Sequence, residues 1–434
     1  MIEPDNLENG KDLYDFMKTL FPLNRSITGN GVRQTLRLIK EIIPLEIIEV
    51  PSGTKVFDWE IPPEWNVDEA YIENPADERI IDFKKNNLHL VNYSIPVNKT
   101  LPLNELKKHL HSLPGKPEWI PYRTTYYKRD WGFCLSHNQL LKMKDGNYKV
   151  VIRSSLEKGA LTYGELFIKG KSDKEVLFST HICHPSMAND NLSGISVMTF
   201  LAKHLYTLDS DKLNYSYRFI FIPATIGAIT WLARNEKNVN KIKHGIVASL
   251  LGDNGNFTYK KSRRGNSDID KIVPYVLQQN TKEFKVIEFS PYGYDERQFC
   301  SPGFNLPVGR LTRTPNGEFP EYHTSADNLD FVSPGQLGES LSIFKKIIEV
   351  IEKNKKYVNL NPKCEPQLGK RGLYNSVAGN IKEYELALLW VLNLADGNND
   401  LIDIAVKSGL PFDLLCKASE DLINVNLLKE ENIK

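Results

Sequence analysis

The chain has 434 residues and is nearly neutral: 55 Lys and Arg stand against 54 Asp and Glu, with 41% hydrophobic and 25% charged residues. This is the composition of a folded globular protein; it excludes a disordered polymer and provides no cationic excess for a polyanion. The five cysteines, Cys134, Cys183, Cys300, Cys364 and Cys416, are scattered and odd in number, which excludes a disulfide scaffold. The length suggests two or three domains. No apolar stretch reaches the roughly 18 residues that span a bilayer. Met1-Ile2-Glu3-Pro4-Asp5 lacks the basic and apolar regions of a signal peptide. A cytoplasmic location without a membrane partner is therefore expected.

Residues from about 10 to 43 read as two helices, because apolar positions recur at three and four on either side of Gly29-Asn30-Gly31. Leu45 to Val50 is β-branched and reads as a buried strand. From Ile61 to Tyr148 the chain is rich in proline and holds Trp65, Trp119 and Trp131. Short alternating runs there, such as Tyr122 to Tyr127, suggest strands joined by turns. A small β-rich domain at 61–149 is expected, inserted into a larger one formed by 1–60 and 150–360.

From about 150 to 355 strands alternate with helices. Strands are expected at Glu175–Thr180, Tyr217–Ile222, Gly245–Leu251 and Leu306–Leu311. Helices are expected at Ser193–Leu205, Ile226–Arg234, Asp268–Leu277 (with Pro274 as a kink point) and Pro334–Ile351. Such alternation argues an α/β sheet with parallel pairs, and ligands bind such sheets at the carboxyl ends of the strands. Asn361 to Pro366 reads as a linker into a third unit, 365–434, with helices at Lys382–Leu394, Asp400–Ser408 and Pro411–Ile423 and turns at Asp396–Asn399 and Ser408-Gly409. Three short helices with tight turns suggest a winged-helix-like unit. It carries seven Lys or Arg against eleven Asp or Glu, so packing or homo-oligomer formation is expected of it rather than nucleic-acid binding.

The chemistry concentrates in Ser179 to Gly194. A β-branched strand delivers His181 at its carboxyl end, Cys183 and His184 follow at once, and Asp190 precedes a helix start. Imidazole and carboxylate together at a strand end are what zinc requires, and one carboxylate is able to bridge two metals. Asp190 as a simple helix cap is the plain alternative. Asp253, after Leu251-Gly252, and His323, in Tyr322 to Asp327, sit at further strand ends. Asp295-Glu296-Arg297-Gln298 reads either as a helix start or as a segment placing Arg297 in the cleft to grip a carboxylate or phosphate. Tyr292, Tyr294 and Tyr322 are candidates for the same pocket. Arg25 and Arg33 flank the glycine turn and read as solvated. Cys300 reads as buried rather than nucleophilic.

The segment from His181 to Gly194, with Asp253 and Tyr322-His323-Thr324, resembles the co-catalytic zinc aminopeptidases of the bacterial leucyl aminopeptidase and glutamate carboxypeptidase type. More closely, the whole chain resembles bacterial aminopeptidase-like proteins with a peptidase domain, an inserted β-rich domain and a C-terminal winged helix, whose genes are often linked to surface-polysaccharide biosynthesis. Arg25 to Gly31, Cys183-His184-Pro185, Asp190 to Gly194, Asp295 to Gly303 and Leu394 to Gly397 carry that likeness nearly end to end. It implies a zinc-peptidase-like mixed sheet flanked by helices. It further implies that His181 binds one zinc, Asp190 bridges, and Asp253 and His323 bind another, for one or two zincs per chain.

This sequence departs from that pattern at three positions. Where the peptidases carry a carboxylate two positions after the first histidine, to orient it, Cys183 stands here, and His184 beside it is a candidate ligand or substrate contact. Where they carry a pair of glutamates, general base and zinc ligand, this chain has Ala224 and Thr225. Alanine accepts no proton, so the resemblance implies an inactive form, by natural loss or by an engineered Glu→Ala change. The expectation is a zinc-dependent hydrolase of an aminoacyl or related amide bond, on a small peptide or an aminoacyl-type small molecule, active if position 224 is Glu in the natural gene. The alternative is a non-catalytic metal-binding recognition protein.

Overall fold

The structure is a computed structural model and describes residues 4–208, 210–373 and 382–431. The chain forms two compact units, Met1–Lys345 and Lys346–Lys434. No helix among the described residues is long and apolar enough to cross a membrane.

The first unit is organised by an eight-stranded sheet: β1 (Glu46–Pro51), β2 (Ala160–Ile168), β3 (Glu175–His181), β4 (Ser216–Ile222), β5 (Ile242–Ala248), β6 (Phe257–Lys260), β7 (Phe284–Ile287) and β8 (Val308–Thr312). Their order is β1-β2-β4-β3-β5-β8-β6-β7. The central strands β4, β3, β5 and β8 are parallel, β2 runs antiparallel to β4, and β6 runs antiparallel to β8. It is the mixed sheet expected. Every residue of β3 is buried, because a central parallel strand is covered on both faces and needs no alternation. One strand differs from expectation. β1 pairs only with β2, at the sheet edge, and of its six residues only Val50 is buried. A β-branched run reports strand propensity, not how many neighbours the strand will have.

The helices follow the apolar periodicity closely: Pro4–Leu20, Asn30–Lys40, Gly194–Tyr206, Ile226–Asn235, Asp268–Asn280, which runs through Pro274, and Pro334–Lys353. Gly29, at φ 95°, ends the break between the first two. The helix Gly194–Tyr206 packs on Pro4–Leu20 through a Ser196 hydroxyl donating to the Leu13 carbonyl at 2.8 Å and an edge-to-face Phe16–Phe200 contact. At its start, a Cβ on Gly194 would lie 2.5 Å from Asn191 Oδ1 and 2.8 Å from Thr180 Oγ1. Only glycine lets this helix approach the end of β3 so closely.

From Glu64 to Glu157, strands Arg79–Asp82, Glu64–Glu73, Asn147–Glu157 and Val97–Pro102 form an antiparallel four-stranded sheet. Its buried Trp65, Ile72, Tyr148 and Ile152 are continuous with buried Ile220, Ile222 and Trp231 of the main layer. The alternating run Tyr122–Tyr127 is not a strand. It makes only isolated bridges, Asn92 with Thr124 and the neighbouring Pro121 with Thr324, because its backbone bonds are divided between Asn92 and the loop that carries His323.

The second unit is a winged helix. Strands Asp396–Asp400, Lys356–Asn359 and Leu428–Glu430 pair antiparallel beside helices Glu383–Leu394, Leu401–Ser408 and Phe412–Asn424. Asp400 caps the second helix, and Gly409 closes it in the left-handed conformation. The expected turn at Asp396–Asn399 is instead an edge strand, held by Lys356–Asn359 across more than thirty residues of chain, a pairing that local propensity does not reveal.

Candidate metal centre

His181 is the last residue of β3 and stands opposite Ile222 of β4 in the parallel ladder. The chain then turns through Cys183 and His184 into a buried segment, Ala188–Ser193, which presents Asp190. Asn191 laces this segment to the strand ends: its amide donates to Thr180 Oγ1 at 2.8 Å and to the His181 carbonyl at 3.0 Å, and its oxygen accepts Leu250 N–H at 3.2 Å.

Asp190 is the hub. One carboxylate oxygen lies 2.8 Å from His181 Nε2 and the other 3.0 Å from His323 Nε2. His184 Nδ1 is 3.8 Å from the first oxygen, and Tyr294 donates its hydroxyl to it at 3.2 Å. The ligand atoms of His181, His184 and Asp190 all lie within 4.8 Å of one another. Aromatic rings wall the cluster: Tyr122 stands edge-on to His184 and His323, and Tyr322 stacks on His323 at 3.9 Å. The His323 side chain is 34% exposed while His181 and Asp190 are closed off, so the cluster opens on the His323 side. His323 itself is held at φ 56°, an uncommon conformation for a residue other than glycine, fixed by Tyr122 N–H donating to its carbonyl at 2.8 Å.

The electrostatics favour a charged Asp190 carboxylate beside a neutral His184 imidazole. Burial works to raise Asp190, but His184 nearby and hydrogen bonds from His181 and His323 outweigh it and hold the group well below the usual carboxylate range. Burial pushes His184 down to about 3, against the pull of Asp190. Neutral imidazole and ionised carboxylate are the forms that bind zinc. The buried Nδ1 atoms of His181 and His184 have no hydrogen-bond partner. The donor set fits a divalent zinc ion.

Two further acids lie close by. Asp327 accepts the N–H groups of Asn189 at 2.6 Å and Asp190 at 2.9 Å, one on each oxygen, and burial, against those two bonds, pushes it up to about 8. Asp295 is buried with Oδ1 unpartnered, and burial pushes it up to about 7, opposed by His181.

The other expected residues fall as follows. Asp253 is buried, but its carboxylate accepts Asn189 Nδ2 at 2.9 Å, the Thr314 hydroxyl at 2.5 Å and Gly255 N–H at 2.7 Å. It braces the residue before Asp190 and is not brought into the convergent cluster. Cys183 is buried, its thiol pushed up to about 12 by burial, and its sulfur accepts the Ala224 N–H at 3.3 Å. Ala224 therefore sits directly beside the turn that follows His181. Thr225 accepts a long 3.4 Å hydrogen bond from Arg297 Nη2, and Arg297 Nε is buried without a partner. Tyr322 hydrogen-bonds Tyr294, whereas Tyr292 is 76% exposed and outside the cluster.

Arg25 and Arg33 are not solvated as expected. Arg33 pairs with Glu64 and Glu49, each at 2.6 Å, and Arg25 is fully buried. The sequence reading passed over Asp327 and Tyr122. The only trace of Asp327 was its place four residues after His323, and Tyr122 was hidden in a run that looked like a strand.

Residues 14–354 match the family described as a domain of unknown function (DUF4910), and residues 355–430 match a winged helix-turn-helix family. A Clostridium acetobutylicum protein provisionally named a polysaccharide biosynthesis protein with aminopeptidase-like domain is 53% identical over 425 residues, 97% of each chain. A crystal structure of a provisionally named peptidase from the same organism has a TM-score of 0.93 at 51% identity, over 98% of each chain. BSAP, a zinc aminopeptidase from Bacillus subtilis, shares the fold with a TM-score of 0.58 at 12% identity, over 80% of this chain and 95% of that one.

Proposed function

We propose, for a chain that belongs to the DUF4910 family and pairs an aminopeptidase-like fold with a C-terminal winged helix, a zinc-dependent hydrolase of an aminoacyl or related amide bond. Its substrate would be a small peptide or an aminoacyl-type small molecule in polysaccharide biosynthesis, in the cytoplasm. The observation that carries this reading is the Asp190 carboxylate, with one oxygen on His181 at 2.8 Å and the other on His323 at 3.0 Å. His181, Asp190 and His323, with His184 alongside, would hold one or two zinc ions. Bound there, zinc polarises a carbonyl and lowers the pKa of its water to about 7.

The chain's own residues supply the rest. Tyr294 steadies the Asp190 oxygen that faces His181. Tyr122 and Tyr322 frame the open side at His323. A carboxylate at position 224 would hold the proton taken from the attacking water, and Ala224 has no group to do so. The form with Ala224 is therefore inactive or very slow on this reading. A second reading, a non-catalytic metal-binding recognition protein, is favoured by the same Ala224 if the natural gene encodes it. The winged helix would serve packing or self-association, as its acidic charge suggests.

The test is metal stoichiometry by elemental mass spectrometry on protein purified without chelator. One or two zincs per chain are expected. No bound transition metal after incubation with zinc would overturn both readings.

A further inference from the structure

A cleft of about 610 Å³ opens in the inserted β-rich domain, and none of the residues of the candidate metal centre lines it. Its lining is largely apolar. Ile81, Leu135 and Tyr148 face it and are buried, and half-buried Ile80 and Met143 continue the apolar surface. The polar end of Tyr148 is already engaged, its hydroxyl donating to the Lys144 carbonyl at 2.7 Å. The volume falls in the range of small-molecule sites, roughly 300–1,000 Å³.

Both walls are fixed by hydrogen bonds. One is the turn after strand Glu64–Glu73, where Asn74 Oδ1 accepts the N–H groups of Ala76 at 2.9 Å and Glu78 at 3.0 Å. The other is the helix His137–Leu141 and the loop that follows it. Ser136 and Gln139 cap that helix reciprocally, and Tyr148 ties down the loop through Lys144. The walls meet where Gly146, at φ 152°, faces Pro75: a Cβ there would lie 2.5 Å from Pro75 Cγ. The cleft is therefore shaped in advance of any ligand, as small-molecule sites usually are.

The charged residues of the lining are Lys142, Lys144 and Asp145, two cations against one anion. Other surface cations of this domain are matched, Lys149 by Glu73 and Arg79 by Glu69. Lys142 and Lys144 are exposed and have no ion pair among the described residues. Apolar walls gain from a hydrocarbon body, and unpaired ammonium groups at the rim gain from an anionic oxygen.

We propose that this cleft binds one free amphipathic anion, a molecule with a hydrocarbon chain and a carboxylate or phosphate head. The chain lies on Ile81, Leu135 and Tyr148, and the head meets Lys142 and Lys144. The proposal is independent of the hydrolase reading, and each stands if the other fails.

The experiment is isothermal titration calorimetry on the full-length chain, with decanoate, decyl phosphate and decyltrimethylammonium in separate arms, each below its micelle concentration. One molecule of at least one anion is expected to bind per chain, and the tighter arm tells carboxylate from phosphate. Affinity should rise about 4-fold per methylene from the hexyl to the decyl member, as each buried CH₂ contributes. Reversing both rim charges, Lys142→Glu with Lys144→Glu, should weaken the anions about 10-fold and leave the trimethylammonium no weaker. Ala76→Trp, at an exposed position of the lining, should abolish binding by filling the mouth. A parent that binds neither anion, or binds the trimethylammonium as tightly, overturns the proposal, as does undiminished anion binding in either variant. Binding to phosphatidylglycerol vesicles without binding of the monomeric amphiphile also overturns it, in favour of a membrane surface. Should a variant not fold by circular dichroism, a diazirine-bearing decanoate on the parent decides: label mapped by mass spectrometry to residues 74–81 or 135–148 upholds the proposal, and label elsewhere or none overturns it.

Discussion

Restoring a carboxylate at position 224 is the most direct probe of the proposed chemistry. Ile222 stands opposite His181 in the β3–β4 ladder, and Ala224 lies two residues further on, its N–H on Cys183 Sγ at 3.3 Å. Neighbouring strands are about 4.8 Å apart, so a glutamate side chain at 224 starts one strand over from the His181–Asp190 pair. If it supplies the missing proton acceptor, Ala224→Glu should raise turnover by about 10²–10⁴-fold, which is about 2.7–5.4 kcal/mol off the barrier. The assay is kcat/KM on a panel of aminoacyl anilides and aminoacyl amides of acidic and neutral sugars, with zinc content measured on the same samples. The gain should appear in kcat and require zinc. The reasoning is refuted if the variant carries as much zinc as the parent and no substrate in the panel is turned over faster.

Three further outcomes follow from the geometry. His323→Ala removes the imidazole on the second Asp190 oxygen and should abolish tight zinc binding by elemental analysis; parental stoichiometry would take His323 out of the ligand set. Asp327→Ala leaves the buried N–H groups of Asn189 and Asp190 without acceptors, at about 1–3 kcal/mol each. The urea midpoint should therefore fall, and zinc affinity should drop about 10–100-fold as Asp190 loses its support; an unchanged midpoint and affinity would contradict this. Because burial depresses His184 to about 3 in the fold, from an ordinary value of about 6.5, the unfolded chain takes up this proton first. Its contribution to stability is intact above about 6.5 and is lost as pH falls toward about 3. In chelated protein, His184→Gln should flatten that part of the pH–stability curve, and an unaltered slope would show that the ring is not buried neutral.

Much of the sheet was legible in the sequence, because fully buried parallel strands appear as continuous apolar runs and their helices keep a regular apolar period. His181 at the end of β3 and Asp190 ahead of a helix were readable for that reason. What was not readable depends on distant neighbours. β1 looked buried because β-branched residues do not report that a strand lies at an edge. Asp396–Asn399 looked like a turn because its partner, Lys356–Asn359, lies far away in the chain. Arg25 looked solvated because nothing local indicates that the carbonyls of Leu20 and His184 will close around it. Asp253 looked like a ligand because a carboxylate after a strand is equally able to face a metal or a neighbouring amide, and here it braces Asn189.

The loop from His323 to Asp327 shows why residue type and spacing locate such a centre only in part. His323 places its ring on the Asp190 carboxylate, and Asp327, four residues later, places its own carboxylate on the Asp190 N–H. One loop therefore holds Asp190 at both ends, by the side chain that would meet a metal and by the backbone that aims it. Tyr122 then fixes the loop through the His323 carbonyl, and Ser325 N–H donates to the Ile120 carbonyl at 2.8 Å. Aim at the candidate metal centre thus depends on residues 120–122, far from it in sequence. A change there, such as Tyr122→Ala, which keeps that backbone N–H but removes the ring standing edge-on to His184 and His323, should weaken zinc binding by loosening His323 although Tyr122 offers the metal no ligand atom. Zinc affinity equal to the parent's in that variant, with the fold intact by circular dichroism, would show that β3 and the 188–193 segment hold Asp190 unaided.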